Sequence, residues 1–262
     1  MTNILLTVSY DGTDFCGWQR QTVTQNEPRT VQSELEKALS KMLQTDIHVQ
    51  GSGRTDSGVH ARAQKVTFFS PVDSIPPQNY VRALNGLLPS DIRITDCLLV
   101  PPEVNARFSA TSRTYRYFMQ VDSVPLASDM RFVWPLSFTP ELEVLNQMAS
   151  YLHGEIDCAT FAAAGDQSQS TFRYIDHACF WFEADEKTGG RRLVFEICAN
   201  AFLWKMVRSI TGTLIQLAQK GQDAQTFKQI LESHDRSKAG VTAPPTGLFL
   251  WDVSFEGKRV HP

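Results

Sequence analysis

Between residues 4 and 100 the spacing of apolar side chains switches from every second position to every third or fourth, then back. That switching limits the folds open to the chain. Ile4, Leu6, Val8 and Tyr10 alternate as in a half-buried strand that ends at the turn-forming pair Asp11-Gly12. Val31, Leu35, Ala38, Leu39 and Met42 recur at helical spacing, with Thr30 placed to cap the helix start. Ile47 and Val49 predict a second strand, and Val66 and Phe68 a third. Tyr80, Val81, Leu84, Leu87 and Leu88 give a second helical face, and Ile92, Ile94 and Leu98 to Val100 a fourth strand. The order β-α-β-β-α-β is the split βαβ arrangement, which sets helices on one face of a largely antiparallel sheet.

The second half repeats the theme. Tyr115, Tyr117, Met119 and Val121 alternate, and Leu142, Leu145, Met148 and Leu152 are spaced as a helix. Two long strands are expected at 171–182 and 192–198, a helix at 201–219, a shorter one at 225–231 and a last strand at 248–255. Residues 161–170, rich in small and polar side chains, read as a loop. The expectation is an α+β protein of two similar halves, 1–105 and 106–262, consistent with an internal duplication. At 42% hydrophobic and 20% charged residues the chain has enough apolar material for a sizeable core.

Charge and cysteine content narrow the classes of function. A net charge of −3 gives no global basic signal, so any nucleic-acid binding must come from local clustering of cations. The five cysteines, Cys16, Cys97, Cys158, Cys179 and Cys198, are scattered without the spacing of a zinc knuckle or redox pair, which points to a reducing compartment and no metal. Met1-Thr2-Asn3 runs straight into a strand pattern without a secretory signature, and no run of about 18 apolar residues occurs. A cytoplasmic protein with no membrane segment is expected.

The segment Gly53-Arg54-Thr55-Asp56-Ser57-Gly58-Val59-His60-Ala61 carries the chemistry. With Gly51 it holds three glycines around one aspartate, so the backbone can approach a ligand closely. A dinucleotide fingerprint fails because Asp56 stands where the third glycine belongs, and no Gly-Lys-Ser/Thr follows for a phosphate loop. Asp56-Ser57-Gly58 superficially matches the aspartic-protease triplet, but that chemistry needs two carboxylates and the chain has no second triplet. A retaining glycosidase also needs a paired acid, and no such pair is visible. A lone carboxylate can instead act as a covalent nucleophile when a cation keeps it ionised, and the sequence offers Arg54 nearby and Arg208 at a distance. An ordinary turn with solvated charges stands beside that reading.

Other segments extend the pattern. Tyr10-Asp11-Gly12-Thr13, Gly17-Trp18-Gln19-Arg20-Gln21 and Thr30-Val31-Gln32 come first. Ala83-Leu84-Asn85, Leu88-Pro89, Ala106-Arg107-Phe108-Ser109-Ala110 and Arg113-Thr114-Tyr115-Arg116-Tyr117 follow. Phe202-Leu203, Met206-Val207-Arg208, Gly212-Thr213-Leu214, Ala243-Pro244-Pro245 and Gly247-Leu248 complete the series. In this order and spacing the chain resembles the TruA family of transfer-RNA pseudouridine synthases over nearly its whole length. It departs from the family pattern at Val104-Asn105, at Ile156 and Cys158 around Asp157, and at Ala218.

The resemblance implies the pseudouridine synthase fold, two α+β halves whose sheets abut around a central cleft. It implies cofactor-free isomerisation of uridine to pseudouridine in the anticodon stem-loop of tRNA, around nucleotides 38 to 40, by a homodimer. Asp56 resembles the family's nucleophile, Tyr115 the ring that stacks on the uracil, and Arg208 the cation paired with Asp56. Arg54 resembles the residue that engages RNA beside the extruded base. Arg62, Lys65, Arg107, Arg113, Arg116, Arg173 and Lys205 are expected to contribute a local basic surface with salt-sensitive affinity for RNA. Tyr117 reads as a core tyrosine and His60 as a loop histidine. The alternative function is a non-catalytic RNA-binding or RNA-folding protein on the same scaffold.

Overall fold

The alternating and helical patterns become fifteen strands and α-helices in the computed structural model, which describes residues 1–21 and 27–257. In chain order they are β1 (Thr2–Tyr10), α1 (Val31–Leu43), β2 (Gln50–Gly51), β3 (His60–Ser70), α2 (Pro77–Leu87) and β4 (Ile92–Val100). Then come β5 (Ser112–Val121), β6 (Trp134–Pro135), α3 (Leu142–Ala149), β7 (Gly154–Asp157) and β8 (Phe172–Asp185). β9 (Gly190–Ala199), α4 (Met206–Gln219), α5 (Ala224–Glu232) and β10 (Leu248–Ser254) complete the chain. The protein is α+β with mainly antiparallel strand pairing. Two compact units emerge, Met1–Thr111 with Phe249–Gly257, and Ser112–Leu248.

In the first unit β1 is central, antiparallel to β3 on one side and β4 on the other, with Leu6 opposite both Val66 and Cys97. β2 pairs antiparallel with β3, while β10 joins β3 in parallel through Phe249 opposite His60 and Leu250 opposite Ala61. The core gathers Ile4, Leu6 and Val8 from β1, Leu35 and Leu39 from α1, Val66 and Phe68 from β3, and Tyr80 and Leu84 from α2. α1 starts where expected. Thr30 and Ser33 form a capping box, each side chain accepting from the other's backbone N–H.

In the second unit β9 is central, antiparallel to β5 and β8, with β7 on the far edge of β8 and β6 parallel to β5. Helices α3, α4 and α5 pack against one another. Stacked aromatics add to the core, Phe180 on Phe195 with centroids 4.4 Å apart and Phe161 on Phe227 at 5.9 Å.

Three elements differ from expectation, the first two because a side chain or loop takes the backbone bonds that the pattern assumed and the third because pairing with β10 lengthens a strand. Ile47 and Val49 are buried but belong to no strand. The Ile47 N–H donates to Ser40 Oγ at 3.0 Å and the Val49 N–H to Glu36 Oε1 at 3.2 Å, so α1 replaces a strand partner. The helix expected from residue 201 begins at Met206, because the Trp204 backbone bonds to the 163–166 loop and Lys205 sits in the left-handed region at φ 58°. β3 extends back to His60, so His60 is a strand residue and not a loop one.

Candidate active site

The Asp56 loop is held by a second loop of the same unit, residues 11–18. The Trp18 N–H donates to the Thr55 carbonyl at 3.1 Å, and the Gly58 N–H and Ser57 hydroxyl both donate to the Phe15 carbonyl, at 3.4 and 3.1 Å. The Tyr10 hydroxyl bonds Thr55 Oγ1 at 2.8 Å in a buried site. Within the loop, the Val59 N–H closes a turn onto the Asp56 carbonyl at 3.1 Å, and Gly58 supplies the positive φ of 78° that the turn needs. The approach is so close that a Cβ on Gly12 would lie 1.9 Å from the Val59 carbonyl oxygen. Asp56 is half-buried and Arg54 exposed at this rigid edge.

His60 follows the loop at the start of β3 and is fully buried, stacked on Phe249 with centroids 4.7 Å apart. Its Nδ1 accepts the Gly12 N–H at 3.0 Å, tying the 11–18 loop to β3. On the same loop's outer side, Arg29 makes a two-pronged bond to Asp91 at 2.8 and 2.9 Å and lies over the Phe15 ring at 4.1 Å. The Arg29–Asp91 brace went unread in the sequence, since its members are 62 residues apart.

Tyr115 and Arg208 both belong to the second unit. Tyr115 lies on the buried face of β5, 8% exposed, its ring meeting Phe202 edge-on at 5.1 Å and 85°. Arg208 is half-buried in the first turn of α4. Its Nε donates to the Ala243 carbonyl at 2.8 Å, and the Ala243 N–H donates back to the Arg208 carbonyl at 3.1 Å. The segment around Ala243 can lie this close to α4 because Gly212 has no side chain, its Cβ position being 1.9 Å from the Val241 carbonyl oxygen. Tyr117 is a core residue, fully buried, its hydroxyl donating to the Pro244 carbonyl. Burial pushes its phenol pKa up, partly countered by the Arg208 charge.

The expected basic residues are not equivalent. Arg62 is exposed over the Trp251 ring at 4.8 Å, and Arg107 is exposed beside Phe108, 5.6 Å from its centroid. Arg113 is not an open surface cation. It is only 6% exposed, on the Tyr115 face of β5, with Nη1 donating to the Asn200 carbonyl at 2.8 Å. Arg116 binds Glu196 at 2.6 Å, Lys65 donates to Thr7 Oγ1 at 2.8 Å, and Arg173 donates to the carbonyls of Ser170 and Phe172. Lys205 places Nζ 4.6 Å from the Trp204 ring centroid. The Asn105 departure has a local role, its Oδ1 accepting the N–H groups of Arg107 and Phe108 in a capped turn. Among the described residues no group of three or more His, Cys, Asp or Glu is arranged to hold a metal ion. No helix there is long and apolar enough to cross a membrane.

Comparison with known proteins covers both units. Residues 6–109 and 148–256 match the family described as tRNA pseudouridine synthase. The chain is similar to a protein named tRNA pseudouridine synthase A from Treponema denticola, 54% identical over 97% of this chain and 92% of the relative. Proteins of the same name from Treponema pallidum and Caldicellulosiruptor saccharolyticus are 47% and 37% identical. They cover 90% and 97% of this chain, and 83% and 100% of those relatives, respectively.

Proposed function

The chain belongs to the tRNA pseudouridine synthase family, and from that membership we propose how its residues perform the reaction. It is an isomerase that converts uridine in tRNA to pseudouridine. The N1–C1′ bond of the nucleoside breaks, the uracil turns, and C5 takes the bond to C1′. The C5 proton leaves and N1 ends protonated, so atoms balance without an external oxidant, reductant or acceptor.

In the proposal Asp56 is the nucleophile. A carboxylate suits that role when it is ionised and aimed, and hydrogen bonds with Phe15 and Trp18 of the 11–18 loop fix the loop that carries it. Arg208 is the cation that serves the nucleophile, and Tyr115 the ring that stacks on the uracil. Arg54, exposed beside Asp56, engages the RNA strand where the base leaves the stack. Arg62 and Arg107 contribute to phosphate binding, while Arg113 shapes the Tyr115 face from within. The proposed substrate region is the anticodon stem-loop, acted on by a homodimer.

The family match over residues 6–109 and 148–256, with relatives aligned over up to 97% of the chain, carries this reading. Release of tritium from C5-labelled uridine in an unmodified tRNA transcript tests it, because only C5 substitution frees that hydrogen. The reading predicts release on mixing with the enzyme. Absence of release from every tRNA would favour a binding-only protein on the same scaffold.

A further inference from the structure

The residues just before α4 form a feature that the proposed chemistry leaves unused. Trp204 is held by its backbone on both sides: its N–H donates to Asp166 Oδ2 at 2.5 Å, and its carbonyl accepts the Ala163 N–H at 3.0 Å. The loop that holds it is itself closed, with the Asp166 N–H on the Ala163 carbonyl at 3.1 Å and the Ser168 N–H on Asp166 Oδ1 at 2.8 Å. Burial works against the Asp166 carboxylate. The bonds from Ser168 and Trp204 and the charge of Arg173 outweigh it and hold the pKa below the usual carboxylate range. Yet Trp204 on this fixed segment is 47% exposed. Lys205, held at a left-handed φ of 58°, places its ammonium 4.6 Å from the ring centroid.

A rigidly held, half-exposed indole with an ammonium over its ring suits one occupant well: an unpaired nucleobase with its phosphate. Every base has a π-face that stacks on an indole, and the ammonium complements the negative backbone. Arg208, proposed to act on the uridine, follows four residues after Trp204 in the first turn of α4. Extruding a uridine leaves its neighbours without a stacking partner, at a cost of a few kcal/mol. We infer that Trp204 and Lys205 form a stacking platform for an unpaired base next to the extruded uridine, offsetting part of that cost. The inference rests on the RNA-modification reading above.

The test measures binding of a fluorescein-labelled unmodified tRNA transcript, and its turnover by tritium release, for the wild type, Trp204→Phe and Trp204→Leu. Leucine keeps apolar bulk but has no π-face, so the platform predicts roughly 5- to 150-fold weaker binding for that variant. Phenylalanine keeps a ring and should stay within about tenfold of wild type. The loss should appear mainly as a raised KM. Leu binding as tightly as wild type, or Phe losing as much as Leu, would overturn the platform. The difference in fluorescence between wild type and Trp204→Phe isolates the Trp204 indole. RNA should quench it, and an unchanged difference spectrum would also overturn the platform, even if the leucine variant failed to fold. A wild type that neither binds nor modifies the transcript would bring down the RNA reading itself. A working wild type with an indifferent Trp204 brings down only the platform.

Discussion

Arg208 and Ala243 hold each other in both directions, the guanidinium Nε donating to the Ala243 carbonyl and the Ala243 N–H donating to the Arg208 carbonyl. Substituting the side chain removes only one of these bonds, so effects on fold and on chemistry can be told apart. For Arg208→Met the expected result is a folded protein, destabilised by about 1–3 kcal/mol through the lost charged hydrogen bond. It should retain tRNA binding while kcat falls by about a hundredfold or more. Chemical denaturation, a binding titration and single-turnover kinetics check the three parts. Lost binding with unchanged kcat would remove Arg208 from the proposed role.

The loop pair in the first unit makes a separate prediction. Gly12→Ala places a methyl group 1.9 Å from the Val59 carbonyl oxygen, and backbone cannot swing aside as a flexible side chain does. Overpacking of this kind costs about 1–3 kcal/mol. The displaced segment adjoins Asp56, so activity should fall further than stability alone explains. Melting temperature and turnover, measured together below the melting transition, test this. Full activity in a variant of normal stability would show that the loop contact is unimportant.

Much of this was legible from side-chain spacing. Thr30 announced the start of α1, and alternation in 4–10 and 115–121 gave β1 and β5, although only β5 buries alternate residues, whereas β1, lying between β3 and β4, is buried on both faces from Asn3 to Val8. The failures have a common cause. Ile47 and Val49 alternate and are buried, but α1 side chains rather than a neighbouring strand satisfy their N–H groups. Residues 201–205 share the apolar character of α4, but Trp204 bonds to a loop some forty residues earlier. The parallel pairing of β10 with β3 joins residues too distant for periodicity to register. In the site, motif resemblance put forward Asp56, Tyr115 and Arg208 as the residues proposed for the chemistry, whereas the burial of Arg113 and His60 depended on packing that spacing does not encode.

Acid should weaken the second unit through Glu196. Burial raises its pKa, but hydrogen bonds from Arg116 at 2.6 Å and His177 at 3.0 Å, with their charges, bring it below the ordinary value. The unfolded chain then binds the proton more readily, at about pH 4.3. The stabilisation is fully present above that value and is lost as pH falls through the lower folded-state pKa. Denaturation midpoints below pH 5 should therefore fall more steeply for wild type than for Glu196→Gln. Parallel curves would contradict the assignment.

Thiol chemistry tests the core. Burial pushes the Cys97 and Cys158 thiols to about 12, whereas Cys16 is exposed. At pH 8 in native protein Cys16 should react with a thiol reagent, and Cys97 and Cys158 only after denaturation. Mass mapping of the adducts gives the order. Early labelling of Cys97 or Cys158 would contradict their packing.

In the proposed mechanism Asp56 is the carboxylate on which the exchange of N1 for C5 turns. Tritium release from C5-labelled uridine in an unmodified tRNA transcript, compared between wild type and the variants Asp56→Ala and Asp56→Asn, tests it most directly. The wild type should release tritium and both variants should do so at below about one-thousandth of its rate, with tRNA still bound. Turnover by the alanine variant near the wild-type rate would contradict the mechanism.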